Sequence, residues 1–251
     1  MDNAKYQPVN TFPAGINVCF STKADGSVAV GGGSEPTDEN IRNAKVFLQK
    51  HDFALPSTKL FVTYGSDRTY TDIDRVTKDN AGKSITTDAL YTTETGLTLA
   101  LTVGDCVATV IYDPEAHLLG VLHLGRHASV EGLIEAFAFE VSAIAGSNPH
   151  NWYVWMSPSI QLAENRLEYF DPLWPEQWLD YTALDDQKKI HIDIPAHNRD
   201  RFIELGVLPE RIEISPIDTY TDKHYFSHRA TAEGGDASRQ GRMMVAAMMT
   251  L

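Results

Sequence analysis

The chain of 251 residues is poor in cysteine, in long apolar runs and in positive charge. Two cysteines, Cys19 and Cys106, cannot form the disulfide framework of a small secreted protein, so we expect two free thiols in a reducing compartment. No segment approaches the ~18–20 apolar residues that a membrane span needs. The N-terminal residues have no apolar stretch behind a basic start and do not resemble a signal peptide. These absences predict a soluble cytoplasmic protein.

Basic residues are outnumbered by acidic ones, 21 against 34, which gives a formal net charge of −13. A field of this sign argues against non-specific binding to nucleic acid or to anionic membranes, and neither is expected as a partner. An anionic small-molecule substrate would therefore need a local basic pocket.

Three apolar segments between residues 97 and 124 have the clearest strand pattern. Leu97–Val103 alternates apolar and smaller polar residues, which is typical of a strand with one apolar face. Val107–Tyr112 and Leu118–Leu122 are almost continuously apolar, as expected of strands covered on both faces. Because Asp113-Pro114 between them favours a turn, we predict a strand–turn–strand unit. Further strands are predicted at Ile16–Ser21, Lys59–Thr63, Trp152–Met156, Ile190–Ile194 and Arg211–Ile214.

Helical signals lie on both sides of these strands. Thr37 can cap a helix in which Ile41, Ala44 and Leu48 recur at helical spacing. A second helix is predicted from about Ser129 to Ala145, and a third over Pro195–Leu205. The buried stripe predicted for the second helix consists of Leu133, Phe137, Val141 and Ile144. With no linker and no internal repeat, the pattern predicts a single α+β domain over residues 1–251.

Two polar segments interrupt this pattern. Residues Ser66–Lys83 are rich in aspartate and threonine and predict an exposed excursion. Residues Leu162–Leu184 are acidic and aromatic, with Trp174 and Trp178, and the sequence leaves open a lid or a packed helix.

Cys106 and His123 lie 17 residues apart, near the ends of the two strands of the predicted unit. We expect the unit to bring the thiol and the imidazole together. A catalytic zinc takes three protein ligands and a water, so a third ligand would be needed. The alternative is a thiolate nucleophile activated by the histidine, with Asp105 or Asp88 as the orienting group.

A second cluster of polar residues follows two aromatics near the C-terminal end. Ser227, His228 and Arg229 combine a hydroxyl, an imidazole and a guanidinium, which suits recognition of phosphate or of a purine. Arg242 is a candidate for a second anion contact.

Several short motifs resemble one family throughout the chain. They are Phe20-Ser21-Thr22-Lys23, Thr87-Asp88-Ala89-Leu90, Gly104-Asp105-Cys106, His123-Leu124-Gly125, Ser157-Pro158-Ser159-Ile160, Pro209-Glu210-Arg211-Ile212, Phe226-Ser227-His228-Arg229 and Gly241-Arg242-Met243. In this order they resemble the laccase-domain, or multicopper polyphenol oxidoreductase-like, family, which includes bacterial purine nucleoside phosphorylases and the peptidoglycan-editing factor.

The resemblance implies a layered α/β/β/α fold with mixed sheets and a zinc ion held by one cysteine and two histidines. It implies phosphorolysis or hydrolytic deamination of purine nucleosides. Copper is not expected, because a multicopper site needs many more histidines than these segments offer. The fold is also similar to that of toxin deamidases that use a Cys/His pair.

Some site motifs of the family are altered in this chain. The family's Gln-Val-His-Gly, which holds its first zinc histidine, corresponds to Val62-Thr63-Tyr64-Gly65. Its His-Ala-Gly-Trp-Arg-Gly corresponds to 123–128, where the tryptophan is lost and Arg126 precedes His127. A phenol is a poor substitute for imidazole, because its pKa of ~10 requires a proton to be lost before it binds a metal well. Three outcomes are open: Tyr64 binds the metal as a phenolate, His127 supplies the missing nitrogen, or the affinity for metal is lost. We expect a weakened or altered zinc site.

The leading hypothesis is a purine nucleoside phosphorylase or deaminase with zinc and an altered metal site, acting on purine nucleosides and phosphate. It assigns metal binding to Cys106 and His123, catalysis to these two and His228, and substrate binding to Lys23, Asn43, Ser227, Arg229 and Arg242. One alternative is a metal-free thiol hydrolase or deamidase that uses Cys106 with His123. The other is a non-catalytic binding or scaffold protein.

Overall fold

A computed structural model describes residues 12–30, 34–65, 67–167, 176–232 and 235–250. Two β-sheets stack face to face in it, and helices cover the outer face of each sheet. A smaller third sheet lies beside them. The layered α/β/β/α architecture and the α+β class predicted from the sequence are confirmed.

The first sheet has five strands in a mixed arrangement. In spatial order they are β1 (Ile16–Phe20), β14 (Met243–Met249), β6 (Leu99–Val103), β2 (Thr58–Phe61) and β4 (Ser84–Thr86). Helix α1 (Asp38–Lys50) covers its outer face, where Phe47 and Leu48 pack against the small residue Ala100. Ala100 is buried like its neighbours Leu99 and Leu101, because α1 covers the face of β6 on which Ala100 lies.

The second sheet has six strands and lies behind the first. In spatial order they are β13 (Ile212–Ile214), β9 (Tyr153–Met156), β7 (Val107–Asp113), β8 (Leu118–Leu124), β5 (Ala89–Thr92) and β3 (Ile73–Arg75). Three helices cover its outer face, namely α2 (Arg126–Val130), α3 (Leu133–Ala145) and α4 (Ile194–Glu204). A fifth helix, α5 (His228–Ala232), follows later in the chain.

The space between the two sheets is an apolar core. Phe20 of β1 meets Trp155 of β9 edge to face, with ring centroids 6.2 Å apart. Leu101 of β6 and Val110 of β7 belong to the same fully buried cluster. Burial of this much apolar surface contributes roughly 25 cal/mol per Å² and fixes the stacking of the sheets.

The third sheet answers the question left open for residues 162–184. Its strands are β10 (Arg166–Leu167), β12 (Ile190–Ile192) and β11 (Thr182–Leu184). A 3₁₀ turn at Glu176–Tyr181 buries Trp178, whose ring stacks on His197 of α4 at 3.9 Å between centroids. Trp174, with residues 168–175, lies outside the described residues.

Two of the predicted helical stripes are wrong in part. The helix predicted from Ser129 to Ala145 is two helices, because Gly132 adopts a left-handed backbone with φ 83° that ends one helix turn and caps the next. Ile144 is 56% exposed, since only one side of α3 faces the second sheet. In α1, Ile41 is 49% exposed, and Phe47 takes the buried position instead.

The segment predicted as an exposed excursion is partly built into the core. Strand β3 pairs with β5, and both Tyr70 and Val76 are buried. The chain then crosses from β4 in the first sheet to β5 in the second. The two residues that connect these strands, Thr87 and Asp88, are fully buried.

Among the described residues, no helix has the length and apolar character needed to cross a bilayer.

Candidate functional site

The hairpin of β7 and β8 places the thiol and the imidazole on one face of the second sheet. Ala108 is paired with His123, so Cys106, two residues before Ala108, is a diagonal neighbour of His123. Side chains two apart along a strand share a face, and this face looks towards the space between the sheets, where Ala108 and Val121 pack. The convergence predicted from the 17-residue spacing is present.

Gly125 shows how close the two groups are. A Cβ atom built on Gly125 would lie 3.1 Å from the Sγ of Cys106 and 3.1 Å from the Cε1 of His123. The two side chains therefore meet over this glycine, within about twice that distance of each other. We call Cys106, His123 and Gly125 the floor of the site.

Both reactive groups of the floor are held in their neutral forms. Burial, with the nearby carboxylate of Asp105, raises the pKa of the Cys106 thiol to about 11, although Arg242 and Arg126 act in the opposite direction. Burial and the charges of Arg68 and Arg242 lower the pKa of His123 to about 4. At neutral pH the pair is a thiol beside an uncharged imidazole. This disfavours the thiolate that the thiol hydrolase hypothesis needs.

An ion pair between the partly exposed Arg68 and the buried Asp88 lies behind the floor. Arg68 contacts the carboxylate of Asp88 and donates from Nη1 to the carbonyl oxygen of Thr63 at 2.8 Å. The carbonyl oxygen of Asp88 accepts a hydrogen bond of 2.9 Å from the backbone N–H of His123. Burial raises the pKa of Asp88 to about 6. The hydrogen bond from the N–H of Asp72 and the charge of Arg68 act in the opposite direction but are weaker. Sequence reasoning noticed Asp88 but missed Arg68, because its segment has no apolar pattern to place it in the core.

Asp105 joins the floor to helix α5. One carboxylate oxygen accepts a hydrogen bond of 2.7 Å from the backbone N–H of Arg229, and the other accepts 2.8 Å from the hydroxyl of Thr219. The hydroxyl of Ser227 accepts from the backbone N–H of Ala230 at 3.1 Å. The start of α5, which carries His228 and Arg229, is therefore fixed against the residue that precedes Cys106.

A buried arginine fixes the loop that leads into this helix. Arg239 is 3% exposed, and its guanidinium donates to the carbonyl oxygens of Tyr225 and Tyr220 at 2.9 and 3.0 Å, and also to that of Thr219. No pattern in the sequence indicates this role. Tyr225 and Phe226 are buried in the core, and Tyr220 is partly buried.

Basic side chains from distant parts of the chain surround the floor. A Cβ built on Gly104 would lie 3.5 Å from Nη1 of Arg242 and 3.4 Å from Cβ of His228. Arg126 and Arg229 line the same cavity, which measures about 410 Å³. We call Arg126, His228, Arg229 and Arg242 the basic wall. It supplies the local positive charge that an anionic ligand would need in this acidic chain.

Aromatic rings form the rim of the cavity. The imidazole of His127 stacks on Tyr70, with ring centroids 4.9 Å apart and 19° between the planes. The guanidinium carbon of Arg68 lies 4.7 Å from the centroid of the Tyr70 ring. Tyr64 lines the cavity at 6.4 Å between centroids from Tyr70 and is 59% exposed. His127 is exposed and belongs to α2 and to the rim.

Three predicted substrate-binding residues do not line the cavity. Lys23 contacts the hydroxyl of Ser238 at 3.5 Å, and Asn43 donates from α1 to the carbonyl oxygen of Ser27 at 3.0 Å. Ser227 is fully buried and caps α5. The structure thus brings together five of the predicted site residues, namely Cys106, His123, His228, Arg229 and Arg242.

The donor set does not fit the zinc site that the resemblance implies. Across the described ranges, no three or more histidine, cysteine, aspartate or glutamate side chains are grouped so that they could hold a metal ion. Cys106 and His123 provide two donors. The third position has the phenol of Tyr64, and His127 is engaged in its stack on Tyr70.

The fold and cavity define a class of protein, a two-sheet α/β/β/α sandwich with a Cys/His floor and a basic wall. The chain belongs to the multi-copper polyphenol oxidoreductase laccase family, whose model matches residues 20–250. This family was predicted from the sequence and is confirmed.

The chain is similar to proteins that are named purine nucleoside phosphorylases. It is 29% identical over 194 residues to the purine nucleoside phosphorylase YlmD of Bacillus subtilis, covering 71% of this chain and 68% of that protein. It is 26% identical to the purine nucleoside phosphorylase Cgl2154/cg2365 of Corynebacterium glutamicum, covering 72% of each. The crystal structure of YlmD from Geobacillus stearothermophilus superposes with a TM-score of 0.77 at 22% identity, over 95% of this chain and 93% of that one.

Proposed function

We propose that this protein is a purine nucleoside phosphorylase. The observation that carries the proposal is the basic wall, a set of three guanidinium groups and an imidazole around a cavity in a chain with net charge −13. Membership of the family and the names of the relatives support it. A cavity of about 410 Å³ also suits a nucleoside-sized ligand.

Phosphorolysis makes specific demands on such a site. An oxygen of phosphate attacks C1′ of the ribose, the bond from C1′ to the purine nitrogen breaks, and its electron pair leaves with the base. The leaving base takes up a proton, and the products are ribose 1-phosphate and the free purine.

The basic wall can meet these demands. Guanidinium groups bind phosphate oxygens through paired N–H donors, so Arg242, Arg126 and Arg229 would hold the nucleophile. His228 is the imidazole of the wall, and we assign it protonation of the leaving base. Cys106 and His123, both neutral, would form the polar surface against which the substrate lies.

The test is an assay of the purified protein with inosine, guanosine and adenosine. We expect the protein to release free base and ribose 1-phosphate only when inorganic phosphate is present. The products are separated and quantified by chromatography. Arg242→Met should lower kcat/KM by about tenfold or more, because a charge-assisted hydrogen bond to phosphate is lost. The matched control is Arg42→Met on the exposed side of α1, which should leave activity unchanged.

Other outcomes would replace the proposal. Conversion of adenosine to inosine without phosphate would show a deaminase instead. No reaction with any of the three nucleosides would favour the non-catalytic scaffold.

A further inference from the structure

The residues around the floor raise the question of what carries positive charge there. The family resemblance implies that a zinc ion, held by one cysteine and two histidines, supplies this positive charge. Only Cys106 and His123 of such a set are present, and Tyr64 occupies the third position. A neutral phenol must lose a proton of ordinary pKa ~10 before it is a good ligand.

His127 is poorly placed to replace the missing imidazole. Its ring is stacked on Tyr70 at 4.9 Å, and Tyr70 is in turn in contact with the guanidinium of Arg68. Moving His127 to the floor would break its stack on Tyr70 at the rim.

Guanidinium groups are close to the floor where a metal would lie. Arg126 follows Gly125 directly, Arg242 lies beside Gly104 and His228, and both line the cavity close enough for their charges to act on the Cys106 thiol. A dication bound to Cys106 would meet two guanidinium charges of its own sign, which lowers its affinity. Arg242 donates one N–H to the carbonyl oxygen of Gly241 at 2.7 Å, and a guanidinium has five donors in all.

We infer that this site works without a metal, and that Arg126 and Arg242 supply the positive charge that binds a tetrahedral oxyanion over Cys106 and His123. The inference rests on the proposed function for its ligand, inorganic phosphate. Its statement about zinc stands apart from that function and is tested without any assay of activity.

The first experiment measures zinc binding directly. The full chain is dialysed against a small excess of Zn²⁺, then against buffer, and its metal content, copper included, is determined by elemental analysis. We expect far less than one zinc per chain. Tyr64→His should restore the third ligand, a second imidazole, and raise the affinity for zinc by about a hundredfold or more. Tyr64→Phe is the matched control and should bind as weakly as the native chain.

Each result of this experiment decides the matter. One tightly held zinc or copper per native chain, lost in Cys106→Ala, would overturn the inference. So would a folded Tyr64→His variant that bound no more zinc than the native chain, because the missing imidazole would then not be the reason. If Tyr64→His did not fold, the metal content of the native chain would still decide.

The second experiment titrates the protein with inorganic phosphate in a calorimeter. Binding should be unchanged by a chelator, and Arg126→Met should weaken it by about tenfold or more, whereas Arg42→Met should not. Loss of binding in the chelator would overturn the metal-free site. Intact binding in Arg126→Met would overturn the role of that arginine. A chain that binds phosphate in this way but cleaves no nucleoside would refute only the proposed function.

Discussion

The floor and the basic wall of the cavity are built by different means. The floor comes from one hairpin whose backbone ladder fixes the register of Cys106 and His123. The wall comes from three separate segments, around Arg126, Arg229 and Arg242, which tertiary contacts bring together. Strand pairing therefore sets the backbone position of the floor without help from side-chain contacts. The position of the wall depends on individual polar contacts such as those of Asp105.

Gly125 is where this difference should show most strongly. In Gly125→Ala the new methyl group would press on both Cys106 and His123 at 3.1 Å, and a small displacement of reacting groups can cost about a hundredfold in rate. We expect kcat/KM for phosphorolysis to fall by between tenfold and a hundredfold. The control is Gly104→Ala, whose methyl group would make ordinary contacts at 3.4 Å with the wall. Equal losses of kcat/KM in the two variants would contradict the view that the floor is packed more tightly than the wall.

Asp105 provides the second test, on the wall itself. Asp105→Ala removes the acceptor for the N–H of Arg229, a hydrogen bond to a charged group worth about 1.5–3 kcal/mol. As a positioning residue it should raise KM for phosphate by about tenfold with a smaller change in kcat. Thr219→Val removes the other partner of the carboxylate and should have a weaker effect. An unchanged KM in Asp105→Ala would show that the start of α5 keeps its place without this contact.

His197 is also buried and sharpens the comparison, because it does not line the cavity. Burial lowers the pKa of His197 to about 4, as it does for His123. Between pH 6.5 and 4 the unfolded chain therefore takes up a proton that the folded chain does not. The free energy of unfolding should fall with decreasing pH by up to about 1.4 kcal/mol per unit from this group.

Urea unfolding at pH 7.5, 6 and 5 measures that slope. His197→Phe keeps a ring against Trp178 and should reduce the slope, whereas His150→Phe, at an exposed position, should not. The same slope in all three proteins would show that His197 is not the source.

The smallest effect is expected at the rim. Tyr64→Phe removes a hydroxyl from a side chain that is 59% exposed, and most such surface changes alter stability by less than about 0.5 kcal/mol. If the phenol is no ligand, kcat and KM should stay within about twofold of the native values. A large loss of activity would give Tyr64 a role that the metal-free site does not assign to it.

The sequence could predict the floor but only part of the wall. Local patterns carry the hairpin, since both strands and their turn lie within 97–124, and the strand–turn–strand unit alone brings Cys106 to His123. Arg68 and Arg239 could not be placed, because each is held by hydrogen bonds to backbone carbonyl oxygens, which no side-chain pattern in the sequence indicates. The prediction of one continuous helix over 129–145 was wrong at Gly132. Its left-handed backbone conformation interrupts a helix that the spacing of apolar residues alone would continue.

Strand β14 has a consequence for how the protein folds. It lies between β1 and β6 in the first sheet, yet in the chain it follows β6 by about 140 residues. Without β14, the facing edges of β1 and β6, more than 75 residues apart in the chain, have no partner, and such edges are prone to aggregation. Since Arg242 directly precedes β14, the pairing that completes the first sheet also brings this arginine to the cavity.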